Sequence, residues 1–208
     1  MAPYSAEDFQ RDTGVSRETL DRLRAYAALL IKWQRKINLV SARTLDDIWR
    51  RHMLDSAQLL ALSPSRPGTG PLSWLDLGSG AGFPGVVLAV MGAGTVHLVD
   101  SDARKCAFLR EAARVTGARI TVHCGRIESL EPWPADVISA RACAPLPRLL
   151  ELAEPFFGPD TIALFLKGQN IGFELTEASK CWKVRSKTIP SRSDPSGAIL
   201  CIGGLSRG

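Results

Sequence analysis

The stretch of this 208-residue chain best equipped for chemistry is Trp74-Leu75-Asp76-Leu77-Gly78-Ser79-Gly80-Ala81-Gly82-Phe83-Pro84. An apolar run enters three alternate glycines, and Pro84 stands where a first helical turn tolerates a missing N–H. Such glycines let the backbone approach a ligand closely at a helix N-terminus, where free amides favour polar or anionic groups. A dinucleotide site needs G-x-G-x-x-G, and here Phe83 occupies the third glycine position. Asp100 ends the next apolar run and offers a carboxylate to both hydroxyls of a ribose. An NAD-linked oxidoreductase would use the same acid, so Asp100 alone does not discriminate. Gly125-Arg126-Ile127-Glu128 follows a third such run, while Arg141 and Lys167 close two more and can hold a phosphate or another oxygen acceptor. A plainer reading stands beside each of these. The glycines also suit a tight turn, and Glu128, Arg141 and Lys167 also suit solvated positions.

These residues need elements to position them. After Pro71 the pattern alternates strand and helix, the signature of a parallel sheet covered on both faces. Strands are predicted at Ser73–Leu77, Thr95–Asp100, Arg119–Cys124, Asp136–Ala140 and Thr161–Lys167, with helices at Pro84–Val90, Asp102–Thr116 and Leu146–Phe156. Lys183–Ile189 and Ala198–Gly203 suit an antiparallel hairpin at the sheet edge. Every candidate residue then falls at or just beyond a strand's carboxyl end, where doubly wound folds bind ligands. The first third reads as helical. Ser5 with Asp8 forms a capping box, and Gly14 stops the helix. A second helix, from about Ser16 to Ile37, carries Leu20, Leu23, Ala27, Leu30 and Ile31 on one face. A third is expected from Thr44 to about Leu62, before a Pro- and Gly-rich linker, Ser63–Pro71. The fold class is therefore α/β, Rossmann-like and doubly wound, with an N-terminal helical extension (1–70) before the sheet domain (71–208).

Composition narrows the classes. Hydrophobic residues make up 45% and charged residues 23%, ordinary globular values. No apolar run reaches the ~20 residues of a membrane span, and Met1 to Arg11 lacks the pattern of a secretory signal, so a cytoplasmic protein is expected. Five cysteines lie at least 18 positions apart, which gives no support to a zinc site, an iron–sulfur cluster or a disulfide framework. No metal is expected. The net charge of +5 is carried by the ends: residues 1–70 hold 11 Lys and Arg against 8 Asp and Glu, and 160–208 hold 7 against 4, whereas 71–159 hold 8 against 9. A near-neutral core flanked by basic surfaces suits a small-molecule site that approaches a polyanion, although scattered solvated charge gives the same count.

The D-x-G-x-G-x-G pattern from Asp76 to Gly82 resembles the first motif of S-adenosyl-L-methionine-dependent methyltransferases. That resemblance implies that Asp76, Gly78 and Gly80 serve the methionine portion, Asp100 the ribose, and Ile127 and Glu128 the adenine. Methylation of exocyclic amines commonly uses an Asn/Asp-Pro-Pro-aromatic loop after the fourth strand, but Ile138-Ser139-Ala140-Arg141-Ala142-Cys143 lacks it. Pyrimidine C5 methylation uses a nucleophilic cysteine, usually as Pro-Cys, whereas Cys143 follows Ala142. A ring nitrogen with a free lone pair, such as guanine N7, needs neither device, and Arg141 and Lys167 could hold guanine O6 while leaving N7 open.

Four further segments narrow the likeness: Asn38-Leu-Val-Ser41; Arg51-His52-Met-Leu-Asp55-Ser56; Gly80-Ala-Gly82-Phe83-Pro84-Gly85; and Ser139-Ala-Arg141-Ala with Leu166-Lys167-Gly168. Together they resemble the bacterial 16S rRNA guanine-N7 methyltransferases of the small-subunit methyltransferase G type, also called glucose-inhibited division protein B. The resemblance implies transfer to guanine 527 of 16S rRNA in the small ribosomal subunit, by a monomer with neither DNA nor a membrane as partner. It also implies a link between loss of methylation and low-level streptomycin resistance. The implied cofactor contacts include Gly78, Phe83, Ile127, Glu128 and Arg141, and the implied acceptor-positioning residues are Arg141 and Lys167. His52 and Asp55, three apart, share a helical face and either border the substrate mouth or anchor the helix. Cys143 departs from the family's usual Phe, and Pro145 from a small polar residue. Acceptors among small molecules or proteins, and a non-catalytic RNA-binding module, remain open alternatives.

Overall fold

A computed structural model describes residues 4–65, 68 and 70–208. Of the predicted linker Ser63–Pro71, residues 66, 67 and 69 lie outside the described residues, as do residues 1–3. Seven strands form one sheet in the order β3-β2-β1-β4-β5-β7-β6. They are β1 (Ser73–Leu77), β2 (Thr95–Asp100), β3 (Ile120–Cys124), β4 (Ala135–Arg141), β5 (Phe157–Lys167), β6 (Trp182–Pro190) and β7 (Ala198–Arg207). The first five are parallel, and β7 runs antiparallel between β5 and the edge strand β6. Two of the predicted strands match end for end. β1 and β2 are short apolar runs buried on both faces, and such runs are the clearest sign of central parallel strands.

The helices are α1 (Ala6–Thr13), α2 (Arg17–Gln34), a short α3 (Asp55–Ala57), α4 (Gly85–Val90), α5 (Ala103–Thr116), α6 (Leu146–Ala153) and α7 (Ile171–Ala178). Ser5 and Asp8 make the expected capping box, and Gly14 closes α1 in the left-handed region at φ 69°. Asp102 caps α5 by accepting from the Arg104 and Lys105 amides. Helices α1 and α2 bury Phe9, Leu20, Leu23, Tyr26 and Leu30 in the same apolar core as Trp74, Val86, Leu98 and Phe108 on one sheet face. The other face packs Leu75, Leu77, Ile138, Leu149, Phe156 and Phe165 beneath α6 and α7.

Two expectations are corrected, and one helix lay outside them. Ile31 does not join the buried face of α2; it is 45% exposed, one residue past Leu30 and so turned out of the seam. The single helix expected from Thr44 to Leu62 is broken into a 3-10 turn (Ala42–Thr44), a π turn (Trp49–Leu54), α3 and a second 3-10 turn (Leu60–Leu62). Polar groups compete with regular helix there, as where the Ser56 hydroxyl donates to the His52 carbonyl at 2.7 Å. Helix α7 was not predicted, because its apolar seam is short and Gly172 interrupts it. Among the described residues no helix is long and apolar enough to cross a membrane.

Candidate active site

Two cavities open side by side at the carboxyl end of the parallel strands. The first, about 600 Å³, is lined by the loop after β1 (Gly78, Ser79, Gly80, Ala81), by Phe83, Asp100 and Ser101, by Gly125 to Glu128, and by Arg141 to Ala144. The second, about 970 Å³, is lined by Leu39 to Ser41, Arg51, His52, Asp55, Arg141 to Pro145, Leu166 to Gly168, Phe173 and the β6–β7 loop. Arg141, Ala142, Cys143 and Ala144 belong to both, as does Leu39. Ala142 within this shared wall adopts φ 50°, a left-handed conformation that costs a side-chain-bearing residue energy and tends to occur at functional sites.

The glycine loop is shaped for close approach. Gly78 sits at φ +64°, and a Cβ there would lie 2.5 Å from Cys143 Sγ. The Ser79 hydroxyl donates to the Asp76 carbonyl at 2.9 Å and accepts the Val99 amide at 3.1 Å, stitching the loop between β1 and β2. Asp100 accepts the Gly80 amide on Oδ2 and the Asp102 amide on Oδ1, each at 2.8 Å. Each oxygen keeps one lone pair, so the carboxylate is fixed in place while still able to accept from a diol. Ile127 and Glu128 lie on the turn after β3, where Glu128 pairs with Arg148.

Asp76 does not line either cavity. It is fully buried beneath the loop, where Oδ1 accepts from the Ser139 hydroxyl at 2.8 Å. Oδ2 faces the Gly85 amide without a hydrogen bond of normal geometry. Burial pushes its carboxyl up to about 6, against the pull of Ser139, Ser79 and the Gly85 amide. Gly85 is required beside it, since a Cβ would lie 2.2 Å from Leu98 Cδ2 and 3.0 Å from Asp76 Oδ2. Asp76, expected among the cofactor residues, thus sits beneath the glycine loop and joins β1, β4 and the start of α4.

Arg141 is the hub of the shared wall. Its guanidinium lies 4.8 Å from the Phe83 ring centroid, and His52 stacks on the same ring at 4.8 Å and 19°. Arg141 Nη1 donates to His52 Nδ1 at 2.8 Å and lies 3.7 Å from Asp55 Oδ2. An arginine can only donate, so Nδ1 is the unprotonated nitrogen. Nε2 then carries the proton and donates to Thr44 Oγ1 at 2.8 Å. Burial, with Arg141 and Arg51 adding repulsion, pushes His52 down to about 3 and fixes it as this neutral tautomer. Asp55 accepts from Ser193 at 2.5 Å and from the Gln58 amide at 3.1 Å, and burial raises its carboxyl against those bonds. This network joins the broken helical segment, β4 and the β6–β7 loop.

Lys167 lines the larger cavity, but its ammonium donates to Glu174 Oε2 at 2.6 Å and to the Ala144 carbonyl at 3.1 Å. It holds α7 against the shared wall. The structure thus gathers Gly78, Gly80, Phe83, Asp100, Ile127, Glu128 and Arg141 around one cavity, with Lys167 in the neighbouring one. Sequence reasoning missed Ser79, Lys105 and Arg148 on the smaller cavity. It also missed Gln34, whose side chain accepts the Leu39 and Val40 amides at 3.0 Å and shapes the loop beside both cavities. No local motif marks these residues, apart from the position of Ser79 between two glycines.

The chain is similar to known proteins over nearly its whole length. A family model described as "GidB: rRNA small subunit methyltransferase G" matches residues 19–195. The chain is 59% identical over 197 residues to a ribosomal RNA small subunit methyltransferase G of Rhodospirillum centenum, covering 95% of this chain and 89% of that one. It is 57% identical over 201 residues to the protein of the same name from Rhodospirillum rubrum, covering 97% and 98%. Among solved structures, a putative O-methyltransferase from Klebsiella pneumoniae superposes with a TM-score of 0.60 at 17% identity, covering 97% of each chain. A TehB-like SAM-dependent methyltransferase from Corynebacterium glutamicum superposes with 0.57 at 17%, covering 85% and 98%. At these identities the structural likeness concerns the fold alone.

Proposed function

Because this chain belongs to the rRNA small subunit methyltransferase G family, we propose that its smaller cavity binds S-adenosyl-L-methionine and its larger one receives a guanine of 16S rRNA. The acceptor atom in this reading is N7 of guanine 527. The observation that carries it is the wall from Arg141 to Ala144, shared by a cofactor-sized cavity and a wider one.

The residues of the smaller cavity fit the cofactor. Gly78 and Gly80 let the loop backbone approach it, the pre-fixed Asp100 carboxylate accepts its ribose hydroxyls, and Ile127 offers an apolar face to its adenine. Its ~600 Å³ suits a ligand of this size. Bound there, the cofactor supplies a methyl group made electrophilic by its sulfonium. The chain's remaining task is to align the acceptor. Arg141, clamped by Phe83, His52 and Asp55, presents donors at the boundary of the two cavities. Lys167 holds the Ala144 carbonyl and keeps that wall closed on α7. A base is not needed, because N7 attacks with a free lone pair. Correspondingly, His52 Nδ1 already accepts from Arg141, and the three carboxylates lining the larger cavity, Asp55, Glu174 and Asp194, each have a cationic partner.

We also propose that the chain acts as a cytoplasmic monomer on ribosomal RNA, with neither DNA nor a membrane as partner. The test of function is incubation with methyl-labelled S-adenosyl-L-methionine and undermethylated small ribosomal subunits, then nucleoside digestion and mass spectrometry. Labelled 7-methylguanosine confined to one 16S fragment is expected. Cofactor binding with no label in RNA would overturn the assignment and favour a small-molecule or protein acceptor, or a non-catalytic RNA-binding module.

A further inference from the structure

Phe173 is 70% exposed, the most exposed large apolar side chain among the described residues, and it lines the larger cavity. Its position owes nothing to packing. The apolar seam of α7 consists of Ile171, Leu175 and Ala178, which meet the core beneath the sheet. Phe173 lies two positions from Ile171, about 200° around the helix and so on the opposite side. At 70% exposure the ring forgoes most of the stabilisation that burying a phenylalanine gives.

The helix that carries it is firmly held. Glu174, the next residue, accepts from Lys167 Nζ and from the Leu146 amide, each at 2.6 Å. The ring is therefore presented from a fixed base at the cavity mouth. The cavity beneath it is charge-balanced: Arg51 pairs with Asp194, Arg141 with Asp55, and Lys167 with Glu174. Paired cations lining a cavity still donate hydrogen bonds but leave little net charge to attract a phosphate. A neutral heteroaromatic ring, with polar edges and an apolar face, matches such a lining. At about 970 Å³ the space is near the top of the usual range for small-molecule sites, enough for more than one base.

Resting on the proposed function above, we infer that Phe173 is a stacking platform for an unpaired RNA base adjacent to the acceptor guanine. Stacking of splayed bases on aromatic side chains is the usual way proteins hold single-stranded RNA. Phe173 would be a positioning residue, since it touches neither the cofactor cavity nor the reacting atoms.

The experiment compares wild type with Phe173→Ala, Phe173→Leu and Phe173→Tyr in steady-state methylation of undermethylated small subunits, alongside cofactor affinity by calorimetry and thermal melting. Phe173→Ala is expected to raise KM for subunits roughly 5- to 150-fold, the range for losing one base–aromatic stack. It should leave cofactor affinity and melting temperature unchanged. Phe173→Leu should behave like Phe173→Ala, and Phe173→Tyr should stay within about threefold of wild type. An unchanged KM in Phe173→Ala, or full rescue by leucine, would overturn stacking while leaving the rRNA assignment intact. Failure of wild type itself to label RNA would overturn both.

Discussion

The two cavities share a wall but are built in different ways. The smaller one is made by short runs of residues at the ends of adjacent parallel strands, held by glycine conformations and by local bonds of Ser79 and Asp100 to neighbouring backbone. The larger one is assembled from five segments far apart in the chain, tied by side chains: His52 to Arg141, Asp55 to Ser193, Lys167 to Glu174 and Arg51 to Asp194. A ligand of fixed shape can be met by a rigid loop. An acceptor embedded in a folded RNA is better met by surfaces contributed from several elements. The smaller cavity should therefore fail abruptly when its backbone is disturbed, and the larger one by degrees.

Gly78→Val presses hardest on that contrast. Its Cβ would enter the space of Cys143 Sγ from a backbone at φ +64°, where a β-branched residue is strained. Cofactor affinity measured by calorimetry is expected to fall at least about 100-fold, corresponding to about 2.7 kcal/mol. Normal cofactor binding by this variant would show that the smaller cavity is not the cofactor site.

Arg141→Lys tests the shared wall. Lysine keeps the charge but loses the planar fork that lies over Phe83 while reaching His52 and Asp55. We expect kcat to drop about 100-fold, the scale of a small misplacement of reacting groups, with cofactor affinity changed far less. An equal loss in both would mean that Arg141 serves the cofactor alone.

Ser193→Ala touches only the larger cavity. It removes the 2.5 Å donor to Asp55, a largely buried carboxylate that also pairs with Arg141. A loss of about 1–2 kcal/mol in urea unfolding is expected, together with a several-fold rise in KM for subunits and unchanged cofactor affinity. A change confined to cofactor affinity would contradict the division between the cavities.

The same contrast explains what was legible in the sequence. Gly78, Gly80, Asp100, Ile127 and Arg141 could be read because each follows an apolar run, and strand ends locate them without knowledge of packing. The depth of Asp76 was not legible, because position in a motif does not reveal it; only the fold shows it beneath the loop, bound to Ser139 sixty-three residues away. Lys167 was placed at the right strand end, but its partner Glu174 sits on a helix whose apolar seam was too short to recognise. His52 and Asp55 were seen as a pair on one face, while their partners Arg141 and Ser193 come from strands and loops that no local periodicity connects. Side-chain ties of this kind leave no spacing signal.

Two buried groups have pH responses that oppose each other: His52, on the larger cavity, and Asp76, beneath the glycine loop of the smaller. His52 is pushed down to about 3 from an ordinary 6.5. Its contribution to stability is present above pH 6.5. As pH falls below that value, the unfolded chain takes up a proton that the folded one refuses, and stability is lost down to about pH 3. Asp76 is pushed up to about 6 from 3.8. Its contribution is present below pH 3.8 and is lost as pH rises to about 6, because the unfolded chain gives up the proton first. Between pH 3.8 and 6 the two slopes cancel, each limited to about 1.4 kcal/mol per pH unit. His52→Gln preserves an acceptor for Arg141 and a donor for Thr44 but cannot titrate. Relative to wild type, its unfolding free energy should therefore fall more steeply as pH rises across that window. Asp76→Asn should do the reverse, and urea titrations at pH 4, 5 and 6 separate the two. Parallel curves for all three proteins would mean that neither group is buried in the protonation state assigned to it, which would remove the argument that His52 is held as a neutral acceptor for Arg141.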